Sequence, residues 1–201
     1  KWMRIRDYLA GLKDDGQKTL AYTEFEAFCK ERGINHSAAQ TLINYLHNTG
    51  QVFYQPGLFH DEIVIDQKWA LDGVYILFTR DWVFEMLKNA RGKINLRALQ
   101  GPWQAYSTED RKVFLSLMES CEICFKIEEI PGNDSYLLPY YLPVEKSKEV
   151  EEDWRKAKKG ELYLEYTHPY FHSALMIRFI NKAGRLSTGL NGMWKYGIAI
   201  K

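Results

Sequence analysis

Apolar positions recur at helical spacing along most of the chain. Trp2, Ile5, Leu9 and Leu12 fall on one stripe and predict a helix near 1–12, broken by Asp14-Asp15-Gly16. A second helix is predicted from Thr23, whose hydroxyl and the Glu26 carboxylate three residues on have capping-box spacing. It carries Phe25, Phe28 and Cys29 and stops at Gly33. A third repeats the device with Ser37 and Gln40, buries Leu42, Ile43 and Leu46, and ends at Gly50. Two strands, 52–54 and 62–65, then flank the Pro56-Gly57 turn.

The order of elements recurs. Helices are predicted near 67–79 (Trp69, Val74, Leu77, Phe78) and 81–89 (Trp82, Val83, Met86, Leu87), closing at Gly92. Ile94 marks a short bridging strand, and Asn95 can cap the turn through Leu96 and Leu99. Ser107 with Asp110 opens a helix carrying Val113, Phe114, Leu117 and Met118, and strands 122–127 and 135–138 form a second hairpin. Three helices followed by a hairpin is the order of a winged helix, and here it occurs twice. The sequence therefore predicts an α+β fold: winged-helix-like units over 1–66 and 67–144, a charged linker or exposed helix over 145–160, and an incomplete α/β unit over 161–201. The 145–159 stretch holds five acidic and six basic residues, with Glu151/Arg155 and Glu152/Lys156 at i,i+4, the spacing of a solvated helix. In the last unit, 162–167 reads as a strand, 170–182 as a helix with Leu175, Met176, Phe179 and Ile180 inward, and 193–201 as a strand. Trp69, Trp82, Phe179 and Trp194 are the expected large core side chains.

Composition narrows the classes. The 201 residues are 46% hydrophobic and 14% aromatic, enough apolar surface for a full core. Lys and Arg total 27 against 26 Asp and Glu, a net +1 that lacks the basic excess of a dedicated nucleic-acid binder. The helix 38–49, which would read a DNA groove in the first unit, contains no charged residue, and 108–119 is near neutral; phosphate neutralisation dominates DNA affinity, so DNA is not the expected partner. No apolar run approaches the ~20 residues of a membrane span, and no leader pattern opens the chain. The start at Lys1-Trp2 suggests a piece of something longer. Three cysteines, an odd and sparse number, suit a reducing cytoplasm.

Candidate chemistry is thin. Cys121 and Cys124 have C-x-x-C spacing, but on a strand residues three apart diverge, and no second Cys/His pair completes a zinc site. His168 and His172 are four apart, yet Pro169 sets the first outside any helix. The phosphate-binding G-x-x-x-x-G-K-[ST], the dinucleotide G-x-G-x-x-G and the nucleophile G-x-S-x-G patterns are all missing. No catalytic residue, bound cofactor or metal is expected in this chain.

The tail carries a more specific signal. Leu164-Glu165-Tyr166-Thr167-His168-Pro169-Tyr170-Phe171, then Arg178-Phe179-Ile180-Asn181, then Trp194-Lys195-Tyr196-Gly197, resembles the start of the second half of a COR domain, the region after the Roc GTPase in Roco proteins. Tyr45-Leu46-His47 with Gly50-Gln51-Val52, and Asp66-Gln67-Lys68-Trp69, are similar to segments of that family's first half. The resemblance, to bacterial-type members, covers about residues 2–201. It implies a non-catalytic cytoplasmic module that packs in cis on a Roc GTPase lying before residue 1. It also implies homodimerisation through COR, and GTP or GDP with Mg in the parent's GTPase domain. Tyr166, His168, Tyr170 and Phe171 match the side facing the GTPase. The alternative is a tandem winged-helix nucleic-acid-binding or scaffold module.

Overall fold

The computed structural model describes residues 2–57, 61–128, 134–156, 172–187 and 189–200. In chain order the elements are α1 (Trp2–Asp14), β1 (Thr19–Ala21), α2 (Tyr22–Glu31), α3 (His36–Asn48), β2 (Glu62–Val64), α4 (Gln67–Thr79), α5 (Asp81–Asn89), β3 (Lys93–Asn95) and α6 (Thr108–Ser120). Then come β4 (Phe125–Glu128), β5 (Ser135–Leu137), α7 (Lys148–Lys156), α8 (Ser173–Ala183), β6 (Met193–Trp194) and β7 (Gly197–Ile198). Helices with small antiparallel sheets make this an α+β protein.

Contacts divide the chain into two units, 1–79 with 102–120 and 80–101 with 121–201. This division does not follow the sequential breaks at 66 and 144 that the repeat of elements predicts. The reason is α6, which packs beside α4 rather than with the sheet that follows it.

In the first unit β1 pairs with β2 in the register Thr19↔Val64, Leu20↔Ile63, Ala21↔Glu62. Phe53 joins through a single bridge to Val64, so the predicted hairpin is reduced to one bridged residue beside a β1 that the sequence pattern did not reveal. Ile5 and Leu9 of α1, Phe25 and Cys29 of α2, and Leu42, Ile43 and Leu46 of α3 close over Ile63 as one core. A second core forms around the fully buried Phe114 ring, met by Trp69, Trp103 and Tyr106 with centroids 4.8, 5.4 and 4.9 Å away. The Trp103 indole N–H donates to the Gly73 carbonyl at 2.7 Å. Gly73 sits in mid-helix because a Cβ there would strike the Phe114 ring.

Two predicted caps fall elsewhere. The chain passes from β1 directly into α2, so Ala21 stands at the N-cap and Thr23 is already inside the first turn, with no side-chain cap. At α3 the N-cap is Asn35, whose side-chain oxygen accepts from the Ala38 N–H at 2.9 Å, and Ser37 lies inside the helix. The Ser107–Asp110 box forms as the spacing requires: Ser107 Oγ accepts from Asp110 N at 3.1 Å, and the Asp110 carboxylate from Ser107 N at 3.0 Å.

In the second unit the sheet order is β3-β5-β4, all antiparallel. Phe125, Leu137, Leu142, Ile180 and Met193 form one core, so the tail shares its interior with this sheet rather than standing as a separate final unit. Residues 143–150 are tied in as well. Pro143 O accepts from Lys195 N at 2.7 Å, Ser147 Oγ donates to Asn191 O at 2.9 Å, and Val150 is buried. The stretch expected as a linker therefore opens as an anchored segment leading into α7. Strand 193–201 is instead a two-residue hairpin, Met193↔Ile198 and Trp194↔Gly197, followed by a bridge from Ile200 to Ser187. Gly197 permits it, since a Cβ there would strike the Trp194 ring. β4 begins at Phe125, so Cys121 and Cys124 lie in the turn before it, where Glu122 has φ +56. Cys121 is exposed and Cys124 buried.

Candidate interaction surfaces

In the first unit α1 turns Ile5 and Leu9 inward, which leaves Trp2, Met3 and Arg6 on its outer side. α3 buries Ala39, Leu42, Ile43 and Leu46, and its outer face is Gln40, Thr41, Asn44, Tyr45 and Asn48, uncharged throughout. The Trp2 and Tyr45 rings meet at 5.9 Å and 42°. Between the helices runs a groove of about 360 Å³ lined by Trp2, Met3, Arg6, Leu42, Tyr45 and Gln51. Three exposed large apolar side chains beside one cation form a protein-binding chemistry; a helix without charge cannot hold a phosphate backbone.

Among the described residues, the resolved shifts do not single out a pair tuned for acid–base work. Burial pushes the Cys29 thiol and the Tyr22 and Tyr54 hydroxyls up from their ordinary values. Tyr141 is pushed up to about 12, first by burial and then by Tyr140. A thiol so shifted is a packing group rather than a nucleophile. Among the described residues no three His, Cys, Asp or Glu side chains gather to hold a metal ion. No helix among them is long and apolar enough to cross a membrane. His172 serves as N-cap of α8, its Nδ1 accepting from Ala174 N at 3.1 Å.

Of the side chains that the sequence singles out, Tyr166, His168, Tyr170 and Phe171 lie outside the described residues, as does the strand expected at 162–167. Trp69 is buried, with Lys18 Nζ 5.2 Å from its ring centre. Trp194 is half-buried under Lys146 Nζ at 5.4 Å. Trp82 and Phe179 are corrections: 52% and 51% exposed, they are not core. α5 buries Val83 and Leu87, and α8 buries Ile180, one position from each, so the inward stripe is narrower than the apolar pattern suggests. Trp103, the largest fully buried side chain, lies in a loop where periodicity has nothing to say; the one hint is a glycine in the middle of the apolar α4.

Residues 1–142 match the family model of the COR-A domain, the C-terminal of Roc, and the chain belongs to that family. Curated relatives include a Roc-COR-CHAT protease of Runella zeae, 24% identical over 141 residues. Another is the probable serine/threonine-protein kinase roco11 of Dictyostelium discoideum, 28% identical over 141 residues. The matches take in 69% and 68% of this chain but only 14% and 9% of those relatives. The solved structure of Methanosarcina barkeri Roco2 RocCORdC bound to GDP is similar in fold, with TM-score 0.55 and 22% identity over 70% of this chain and 43% of that one.

Proposed function

We propose that the chain is a non-catalytic regulatory module of a Roco protein, packing in cis on a Roc GTPase domain and coupling its nucleotide state to dimer state. The observation that carries this reading is the COR-A match over residues 1–142. An outer face built from Trp2, Met3 and Tyr45, aromatic and free of acid, supports a protein rather than a nucleic acid as partner. The order α1-β1-α2-α3-β2, with Phe53 bridged to β2, supports a winged-helix-like reading of the first unit. GTP or GDP and Mg would be held by the GTPase domain, not by this chain. Tyr166, His168, Tyr170 and Phe171 are proposed for its GTPase-facing side on the family resemblance.

The test joins this chain to its upstream sequence and measures mass by light scattering and GTP turnover in the same samples. A nucleotide-dependent mass, with turnover altered by Tyr45→Ala or Tyr166→Ala, is the expected result. An oligomeric state that does not change with the bound nucleotide, together with a turnover unchanged when residues 1–201 are removed, would refute the reading.

A further inference from the structure

Cys121-Glu122-Ile123-Cys124 reads from the pattern as part of a strand, where residues three apart stand ~10 Å from each other on opposite faces. The structure removes that obstacle. β4 begins only at Phe125, so both cysteines precede it. Between them Glu122 takes φ +56 and the chain bends at Ile123. A chain folded back over four residues draws its outer pair towards the Cα separation of about 4.4–6.8 Å that a disulfide spans. Both are thiols here, Cys121 exposed and Cys124 only 2% exposed.

Packing accounts for a buried Cys124, but not for an exposed thiol three residues before it. The turn between them is braced from outside. A non-glycine residue in the left-handed region costs energy and persists where its surroundings hold it. Glu122 is held from α8: its carboxylate lies 3.2 Å from Arg178 Nε and 3.4 Å from Lys182 Nζ.

We propose that Cys121 and Cys124 are a redox-active pair that a peroxide closes into an intramolecular disulfide. The exposed Cys121 sulfur takes one peroxide oxygen as the O–O bond breaks, becoming a sulfenic acid, and a first water leaves. The Cys124 sulfur then attacks the Cys121 sulfur. An S–S bond forms, the S–O bond breaks, and the Cys124 proton departs with the oxygen in a second water. The two thiols together lose two electrons and two protons, and one peroxide is reduced to two waters. Burial suits Cys124 to the second step, since it is sheltered from peroxide in solution while Cys121 stands in the same turn. In a reducing compartment such a bridge is transient, the behaviour of a sensor rather than of a structural crosslink. It spans Glu122, so oxidation fixes the turn that grips α8. The inference is independent of the regulatory reading.

The test treats residues 1–201 with stoichiometric hydrogen peroxide, alkylates the remaining thiols in denaturant and maps the peptides by mass. The peptide carrying Cys121 and Cys124 is expected two hydrogens lighter than its reduced form, with one cysteine alkylated in place of three. Cys29, in the core of the first unit, is the internal control. Dithiothreitol should restore all three thiols, and amide exchange over 121–125 should be slower in the oxidised protein. Cys121→Ser, at an exposed position, should abolish the bridge while circular dichroism and urea midpoint stay at wild-type values. Three alkylations after peroxide, dimers crosslinked through Cys121, or a sulfinic acid at Cys121 beside an alkylatable Cys124 would each overturn the proposal. So would amide exchange that the bridge leaves unchanged.

Discussion

Phe114 shows how much one ring can organise. Three aromatic neighbours box it in, and the fourth side of the box is a glycine backbone. Gly73→Ala adds only a methyl, and in an ordinary helix interior it would stabilise by restricting the unfolded chain. Here the ring cannot yield, because Trp69, Trp103 and Tyr106 hold it, so overpacking wins. We expect Gly73→Ala to cost ~1–3 kcal/mol, read as a lower urea midpoint at unchanged slope. Tyr141 makes a second residue-scale prediction. Its hydroxyl ionises near 10 when the chain is unfolded and near 12 when folded. Below pH 10 both states keep the proton and stability is unaffected. From 10 to 12 the unfolded state loses its proton while the folded state keeps it, so stability falls as pH rises. Tyr141→Phe should flatten that alkaline fall in urea titrations; the slope that remains includes contributions from Tyr22, Tyr54 and the Cys29 thiol, shifted the same way.

At the scale of elements, start signals were more legible as kinds than as positions. The Ser107–Asp110 box closes both bonds, whereas Thr23–Glu26 has the same spacing and closes neither, because a strand runs straight into α2. Ser107→Ala should therefore cost ~1 kcal/mol and Thr23→Ala only a few tenths, a contrast that paired urea curves would show. α4 and α5 match the periods 67–79 and 81–89 to the residue, since each alternates inward and outward positions cleanly and ends at a break. β1 was not legible: three residues between two helices carry too little pattern to be told from a loop, and their partner lies some forty positions on. Leu175 and Phe179 of α8 read as core from the pattern for the converse reason. Apolar spacing reports what could be buried, not what is, and Phe179 fits the stripe while facing out. The aromatic groove of α1 and α3 is half legible: the sequence marks Trp2 as a stripe residue and Tyr45 as part of a family segment, with nothing to say that their rings meet.

For the whole molecule, the family match and the core disagree about where a unit ends. The match stops at residue 142. Phe125, Leu137 and Leu142, all within it, share their interior with Ile180 and Met193 beyond it. Cutting at 142 would uncover the first three and remove what lies against them. We expect residues 1–142 alone to keep the helical circular dichroism of the first unit. They should bind a hydrophobic dye that the full chain excludes, and melt in two steps rather than one; a single sharp transition at the full-length midpoint would count against this.

The α4–α6 pairing also sets a timetable for synthesis. α4 leaves the ribosome with Trp69, Val74 and Leu77 ready to be buried, but α6, the helix that packs beside it, is not translated until residues 108–120. At ~5–20 residues per second that interval is on the order of 2–8 s. During it the nascent chain presents an apolar helix without the helix that packs beside it, so this is the stage at which the chain is most open to misassociation. Synonymous codons that slow translation across 80–107 would lengthen the vulnerable interval without altering a single side chain.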